Sequence, residues 1–192
     1  MIKQCFKNID FRILWGAGCM TGIARAMEFL ALSLFALQEL GLPYLVTIIF
    51  AARMLPMSLL GIVIGTISER VSPISVIKFI YTLSNISTGI AILLVFTDKF
   101  NVIFAFLLAF INGITWVVDL AVRRRVLADN IDQNLLSSSL AMETLSNNAT
   151  RLIGPLCAGS LYAFVGLAGI FSVQFFMYIL ALGFIIKFQK SK

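Results

Sequence analysis

The sequence predicts an all-α integral membrane protein, a bundle of six transmembrane helices. Of its 192 residues, 60% are hydrophobic and 12% are charged, whereas soluble domains carry about 25% charged residues. The mean hydropathy is +0.99, and apolar stretches near or above the roughly 20 residues that cross a bilayer recur along the chain. We expect helices at about 11–37, 44–67, 74–96, 102–122, 136–165 and 170–186, forming one domain over residues 1–192.

Each predicted helix ends at a turn or at a group of charged residues. Such residues separate the apolar stretches at 38–43, 68–73, 98–99, 123–132 and 166–169, and lysines follow the last stretch. Gly and Pro interrupt helices, and charged side chains favour the aqueous boundary of a membrane protein. The sequence therefore predicts that residues 123–132, the most charged stretch, form the loop between the fourth and fifth helices.

Lysine and arginine are distributed unevenly between the two sides of the membrane. Six spans put both termini on one side, and the opposite loops carry Lys99 alone. Because cytoplasmic loops are enriched in these residues, we expect both termini in the cytoplasm and the chain in the plasma (inner) membrane, in contact with the lipid bilayer. The net charge of +6 is explained in this way without a nucleic-acid partner. The cations on the terminal side are Lys3, Lys7, Arg12, Arg70, Lys78, Arg123, Arg124, Arg125, Lys187, Lys190 and Lys192.

Polar side chains form stripes on several of the apolar segments. Glu143, Asn147 and Arg151 recur at i, i+4 and i+8 on the fifth helix, so they share one face. A charge near the bilayer centre costs about 2.5–3.5 kcal/mol, so this face must meet other helices or a water-filled cavity. The other polar positions are Thr21, Arg25 and Glu28 on the first helix, Arg53 on the second, and Asn112, Thr115, Trp116 and Asp119 on the fourth.

Helices 1–3 and 4–6 look like weak copies of each other. The second helix contains Arg53, Pro56 and Gly61, and the fifth contains Arg151, Pro155 and Gly159 in the same order. Two three-helix copies in one chain are inverted relative to each other in the membrane, an arrangement shared by many transporters. The sequence therefore predicts two inverted three-helix repeats.

The sequence lacks the residues that an enzyme active site or a metal site needs. The chain has no histidine, and Cys5, Cys19 and Cys157 have no metal-ligand spacing. An intramembrane enzyme would require a nucleophile with its base, or a set of metal ligands. We therefore expect no enzyme, no metal site and no cofactor.

Four segments resemble motifs of the major facilitator superfamily. Residues 65–70, GTISER, resemble the G-x-L-a-D-R motif between helices 2 and 3, with Glu69 in place of the family Asp. Residues 151–159, RLIGPLCAG, resemble the R-x-x-G-P-x-x-x-G signature of helix 5 in efflux-type members. Residues 113–119 followed by Arg123 and Arg124 resemble the end of helix 4 in the same group, and the opening at 11–15, FRILW, also fits.

The resemblance implies half of a twelve-helix fold. In that family two six-helix halves enclose the substrate, with helices 1, 2, 4 and 5 around the cavity and helices 3 and 6 outside. The chain is expected to be the N-terminal half, needing a second half from a separate chain or from a homodimer. The implied function is secondary transport by alternating access, with export as in the efflux-type members. Among the intramembrane charges, Arg25, Arg53 and Arg151 outnumber Glu28 near mid-depth, which favours a small amphiphilic or anionic compound.

The polar stripes and the motifs together predict three groups of site residues. Alternatives stay open for several of them: Arg25 and Glu28 could form a fixed i, i+3 pair, Glu28 could instead carry a proton, and Arg53 and Arg151 could cap carbonyls or await acids of the second half. The arginine run could serve topology rather than a gate. The substrate cavity comprises Arg25, Glu28, Arg53, Asn112, Trp116, Asn147 and Arg151; the cytoplasmic gate Gly65, Glu69, Arg70, Asp119, Arg123, Arg124 and Glu143; the helix-bending group Pro56, Gly154, Pro155 and Gly159.

A second function class remains possible at this point. The motif at 65–70 departs from the family pattern after Arg70, where Ser72 replaces a glycine and Pro73-Ile74 replace a basic pair. This departure favours a truncated, non-transporting remnant or an accessory membrane protein. The substrate, the coupling ion and the direction of transport are not encoded in any of these motifs.

Overall fold

The structure, a computed structural model, describes residues 5–67, 72–131 and 133–190, and nearly all of them are helical. α1 is Ile9–Leu34 and continues as a π-helical turn, Phe35–Glu39; α2 is Tyr44–Ile67, α3 is Pro73–Phe96 and α4 is Val102–Asn130. The last helical segment, Gln133–Lys190, is interrupted by Gly166, whose dihedrals are φ 63° and ψ −162°. We call residues 133–165 α5 and residues 167–190 α6.

Side-chain caps set the start of three helices. The Asn8 side chain accepts hydrogen bonds from the backbone N–H groups of Asp10 and Phe11, and the Asn101 side chain caps α4 in the same way. Ser72 caps α3, whose first residue is Pro73. Asn and Ser satisfy otherwise unpaired N–H groups at this position, and proline fits the first helical turn. These caps explain why α1 begins slightly before the predicted residue 11.

The predicted loop at 123–132 is wrong over most of its length. α4 continues to Asn130, past the predicted end at 122. Arg123, Val126 and Leu127 are buried, and their i, i+3, i+4 spacing keeps them on the inward face of a continuing helix. The charged residues of this stretch predict a loop in water, whereas Arg123 forms ion pairs with Asp119 and Glu143 inside the bundle.

The helices have the length and composition of membrane spans. Four described helical stretches are long and apolar enough to cross a bilayer: Ile9–Gln38, Pro73–Phe96, Val102–Asn130 and Gln133–Phe188. The last is 56 residues long and contains the Gly166 break. The described apolar part of α2, Tyr44–Leu59, is shorter. The fold is an all-helical bundle of the membrane type.

Two apolar clusters lie at opposite ends of the bundle, and a layer of buried polar residues separates them. On α1 the sequence runs from Leu14 in one cluster to Leu32 in the other, with Thr21 and Arg25 between. The same order recurs on three other helices, each with buried polar residues between one residue of each cluster. These polar residues are Asn112 to Asp119 between Leu108 and Val122 on α4, Gln174 between Phe171 and Ala181 on α6, and Ser84 between Ala91 and Ile77 on α3. The polar side chains of different helices thus meet at one depth.

Small residues allow the closest helix contacts. A Cβ atom at Gly113 would collide with the carbonyl oxygen of Arg53, so α4 and α2 touch there through backbone. A Cβ atom at Gly154 would collide with Ala26 and lie 3.0 Å from the carbonyl oxygen of Ile23, so α5 and α1 touch in the same way. Gly154 therefore serves helix packing, the usual role of small residues between membrane helices.

Glycine 154 and glycine 159 on α5 provide a matched test of this packing. We expect Gly154→Ala to lower the free energy of unfolding by about 1–3 kcal/mol relative to Gly159→Ala, because only the former overfills a contact. A Cβ atom at Gly159 meets only Leu30, at 3.8 Å. Thermal unfolding of both variants in the same detergent measures the difference; equal midpoints would contradict the close approach of α1 and α5.

Candidate functional site

A cavity of about 330 Å³ opens between four helices of the bundle. All of its described lining residues belong to α1, α2, α4 and α5. They include five of the seven predicted cavity residues, and among the described lining residues none is acidic. The lining consists of Gly22, Arg25, Ala26, Phe29, Phe50, Arg53, Met54, Trp116, Asn147, Thr150, Arg151 and Pro155.

Guanidinium groups and aromatic rings alternate along this cavity. The Cζ atom of Arg53 lies 5.5 Å from the centre of the Trp116 ring and 5.5 Å from that of Phe29. The Cζ atom of Arg151 lies 5.2 Å from the Trp116 ring centre, so one indole contacts two cations. Phe29 and Phe50 meet edge to face, with ring centres 5.7 Å apart. Cation–π contacts of this length stabilise a guanidinium without neutralising its charge.

Arg25 connects this cavity with a buried ion-pair network. Its Nη2 atom donates to Asp119 Oδ2 at 2.6 Å and to Thr21 Oγ1 at 2.8 Å. Its backbone carbonyl accepts from Arg53 Nη1 at 3.0 Å. Arg25 is therefore both a lining residue and a member of the network, and the alternative of a fixed Arg25–Glu28 pair is wrong, because the described ion pair of Arg25 is with α4.

Asp119 is the centre of the network. Its side chain has no solvent exposure, and besides Arg25 it accepts a hydrogen bond from the Tyr81 hydroxyl at 2.8 Å. Arg123 Nη2 lies 3.5 Å from the same carboxylate. Buried charges are retained where they are paired and hydrogen-bonded. This carboxylate thus joins α1, α3 and α4.

Arg123 continues the network to α5. Its Nη2 atom lies 3.3 Å from Glu143 Oε1, and Arg124 Nε lies 3.7 Å from Glu143 Oε2. The Arg123 guanidinium passes directly over Gly18, where any Cβ atom would collide with it. Gly18 is therefore needed for the arginine to reach its two acids. Four predicted gate residues, Asp119, Arg123, Arg124 and Glu143, lie together here.

Glu28 is buried in a separate polar cluster behind the cavity. Its carboxylate accepts a hydrogen bond from Gln174 Nε2, and Arg53 and Arg25 supply positive potential around it. The side chains of Asn112, Gln174 and Tyr178 are buried around this carboxylate. Glu28 and Asn112, both predicted cavity residues, are thus buried and are not among the described residues that line the cavity.

The remaining predicted positions divide into two groups. Glu69 and Arg70 lie outside the described residues, and Gly65 lies near the end of α2 at a position where side-chain surroundings are not described. Pro56 and Pro155 lie inside α2 and α5. In the 133–190 segment the helical dihedrals are interrupted at Gly166, the first residue of the turn predicted at 166–169, whereas residues 167–169 are helical. Bending at the two prolines stays a prediction.

Three polar residues of the site were missed. Tyr81 on α3 contacts Asp119, and Gln174 and Tyr178 on α6 surround Glu28. The sequence carries one usable signal, because Gln174 is an amide inside the apolar run FSVQFFMYIL. Tyrosine gives no such signal, because its largely apolar ring is compatible with any face of a membrane helix.

The network predicts a large difference between two aspartates of α4. We expect Asp119→Asn to lower the free energy of unfolding by about 3–5 kcal/mol, because Arg25 and Arg123 lose a fully buried partner. Asp129→Asn is the control: Asp129 is 59% exposed and pairs with Arg125 at 3.8 Å, and an exposed pair contributes about 0.2–1 kcal/mol. Thermal unfolding in detergent measures both variants, and a small effect at Asp119 would contradict the network.

Comparison with known families agrees with the motifs and with this geometry. The sequence model of the transmembrane secretion effector family, a group within the major facilitator superfamily, matches residues 4–192. Comparison with curated proteins and with solved structures gave no significant match. The match extends over both polar clusters and the cavity, and it confirms the resemblance on which the expected site was based. The chain therefore belongs to the transmembrane secretion effector family of the major facilitator superfamily.

Proposed function

We propose that this chain is a six-span unit of a secondary transporter that exports a small amphiphilic or anionic compound by alternating access. The family indicates membrane transport in general terms. The observation that carries the proposal is the cavity, which is lined by Arg25, Arg53 and Arg151, where Arg53 and Arg151 contact aromatic rings and the described lining has no acid. Its volume lies at the lower end of the usual range for ligand pockets, about 300–1,000 Å³. A cationic, aromatic-lined cavity at the middle of membrane helices suits an amphiphilic or anionic cargo.

The helix contacts support two inverted repeats. Relating helices 1–3 to helices 4–6 makes the α1–α5 pair equivalent to the α4–α2 pair. Both pairs touch at a glycine, Gly154 in the first and Gly113 in the second. Each contact also lies beside an intrahelical proline: Pro155 follows Gly154, and the Cγ atom of Pro56 would lie 3.1 Å from a Cβ at Gly113. Six spans follow if α2 crosses fully and Gly166 is the turn between the last two.

The cavity surface requires a second six-helix unit. Arg151 is exposed and Arg53 is half-buried, although both lie where a bilayer would otherwise surround them. Charged groups at that depth face protein or a water-filled cavity. A second half would cover them, whether it belongs to the same polypeptide, to a separate chain or to a second copy.

The ion pairs around Glu143 are proposed as the cytoplasmic gate. The excess of basic residues on the terminal side places the Arg123–Arg125 end of α4 towards the cytoplasm of a plasma-membrane protein, with both termini there. Arg123 and Arg124 both reach across to α5 at Glu143. Separating α4 from α5 breaks these pairs, which is the kind of discrete change that alternating access needs.

A transport assay tests the proposal. In cells expressing the protein from its native gene context, we expect reduced accumulation of some members of a panel of small amphiphiles, both anionic and neutral. Arg151→Gln should abolish export without loss of membrane insertion, because the residue contacts cargo. Arg12→Gln, an exposed arginine on α1 outside the cavity lining, should leave export unchanged. Export of no compound by the wild type would favour the non-transporting remnant.

A native cysteine reports on the gate. Cys19 is half-buried beside Arg123 and Glu143, and in a Cys5→Ser, Cys157→Ser background it is the remaining thiol of the chain. We expect Gly18→Ala to increase the rate of its alkylation several-fold, because Arg123 is displaced from its acids. Gly16→Ala is the control, since a Cβ there meets only the Phe184 ring at 3.7 Å. Equal rates in the two variants would contradict a gate held by Arg123.

A further inference from the structure

The cavity has a direction from an apolar end to a cationic end. Consecutive contacts link Phe50 to Phe29, Phe29 to Arg53, Arg53 to Trp116, and Trp116 to Arg151, at 5.7, 5.5, 5.5 and 5.2 Å. Of these five side chains, one lies on α1, two on α2, one on α4 and one on α5, and they form one continuous strip. A compound lying along the strip meets hydrocarbon rings at one end and two guanidinium groups at the other.

The charges around the strip do not balance. Among the described residues, Asp119 pairs with Arg25 and Arg123, and Glu143 pairs with Arg123 and Arg124. These pairings leave Arg53 and Arg151, for which no carboxylate lies within 4 Å among the described residues, and both guanidinium groups instead contact the Trp116 ring.

Arg124 does not alter this accounting. Its side chain is 48% exposed, so water compensates its charge. Arg151 is also exposed in the described chain, but its guanidinium lines the cavity, where a bound compound would replace water. Two cationic groups of the cavity, Arg53 and Arg151, thus have no carboxylate at ion-pair distance among the described residues.

We infer that the compound is an amphiphilic anion whose charged group binds between Arg151 and Arg53 at Trp116, with its apolar body along Phe29 and Phe50. This inference rests on the proposed function and adds the substrate class. An anionic group at this position meets two guanidinium groups, whereas a neutral group would leave both of them without a negative partner. A carboxylate or another oxyanion fits equally, because a guanidinium donates in parallel to either.

Neighbouring polar groups complete the anion subsite. Asn147 and Thr150 line the cavity on the same helix as Arg151, one turn or less from it. The Thr150 hydroxyl donates to the Asn147 carbonyl at 2.9 Å, which fixes its orientation. The apolar end is lined by Ala26 and Met54 in addition to the two phenylalanines, so the two ends differ in chemistry and orient the compound.

Binding can be measured apart from transport. The chain has two tryptophans, so Trp15→Phe leaves Trp116 as its single indole, placed between the two arginines. The full protein in lipid nanodiscs would be titrated with 4-phenylbutyrate, an anion, and with 4-phenylbutyramide, its neutral analogue. Trp116 fluorescence reports occupancy, and neither ligand contains an indole.

We expect 4-phenylbutyrate to bind about tenfold or more tightly than 4-phenylbutyramide, which corresponds to one charge-assisted contact. Arg151→Gln should remove this preference, and Arg151→Lys should restore part of it, which shows that the variant site is folded. Phe50→Ala should weaken the acid and the amide equally. Arg12→Gln should change neither affinity.

Two results would overturn the inference: equal affinity for the acid and the amide, or no fluorescence response to either ligand. An unchanged preference in Arg151→Gln would instead assign the Arg151 charge to a carboxylate of the second half, and would also overturn it. The proposed transport function fails separately, if the binding preference holds and no compound is exported. Export of neutral amphiphiles without a preference for anions would support the proposed transport function and contradict the inferred substrate class.

Discussion

The Asp119 carboxylate is fully buried, and the rest of the bundle is arranged to satisfy it. An isolated charge in a low-dielectric interior is unfavourable by several kcal/mol unless charged and hydrogen-bonded partners surround it. Arg25 supplies a partner from α1, Tyr81 from α3 and Arg123 from α4 itself. Arg123 then transfers the constraint to Glu143 on α5. A single carboxylate thus relates four helices to one another, and Gly18 has no side chain because the arginine passes over it.

The buried polar layer fixes the register of the helices in the same way. It lies between two apolar clusters on α1, α3, α4 and α6. Sliding one helix by a turn, about 5.4 Å, would bring its charged side chains against an apolar cluster of its neighbours. Lipid provides no hydrophobic driving force between membrane helices, so close backbone contacts and polar pairs define the packing. The glycine contacts at Gly113 and Gly154 act at this same level of the bundle.

Residue spacing along one helix could be predicted, whereas pairing between helices could not. The stripe on the fifth helix and the polar residues on the first and fourth follow from i, i+4 periodicity, and five predicted cavity residues do line one cavity. The partner of Arg25 was open, because Glu28 on the same helix competes with Asp119, which is distant in sequence. The predicted end of α4 was wrong, because charged residues usually lie in water and Arg123 instead forms ion pairs inside the bundle. Tyr81 and Tyr178 were missed because a neutral ring carries no signal of burial in a polar layer.

Arg25 belongs to the cavity and to the buried network at once, and this dual membership has a mechanistic consequence. A ligand shifts a conformational equilibrium only to the extent that it interacts differently with the two states. The Arg25 guanidinium is held by Asp119 and its carbonyl by Arg53, so a negative charge entering beside Arg53 and Arg151 changes the electrostatic energy of the Asp119 pair. Asp119 shares Arg123 with Glu143, so this change reaches the α4–α5 contact through three adjacent side chains. The cations proposed to bind an anion are therefore physically connected to the proposed gate through these side chains.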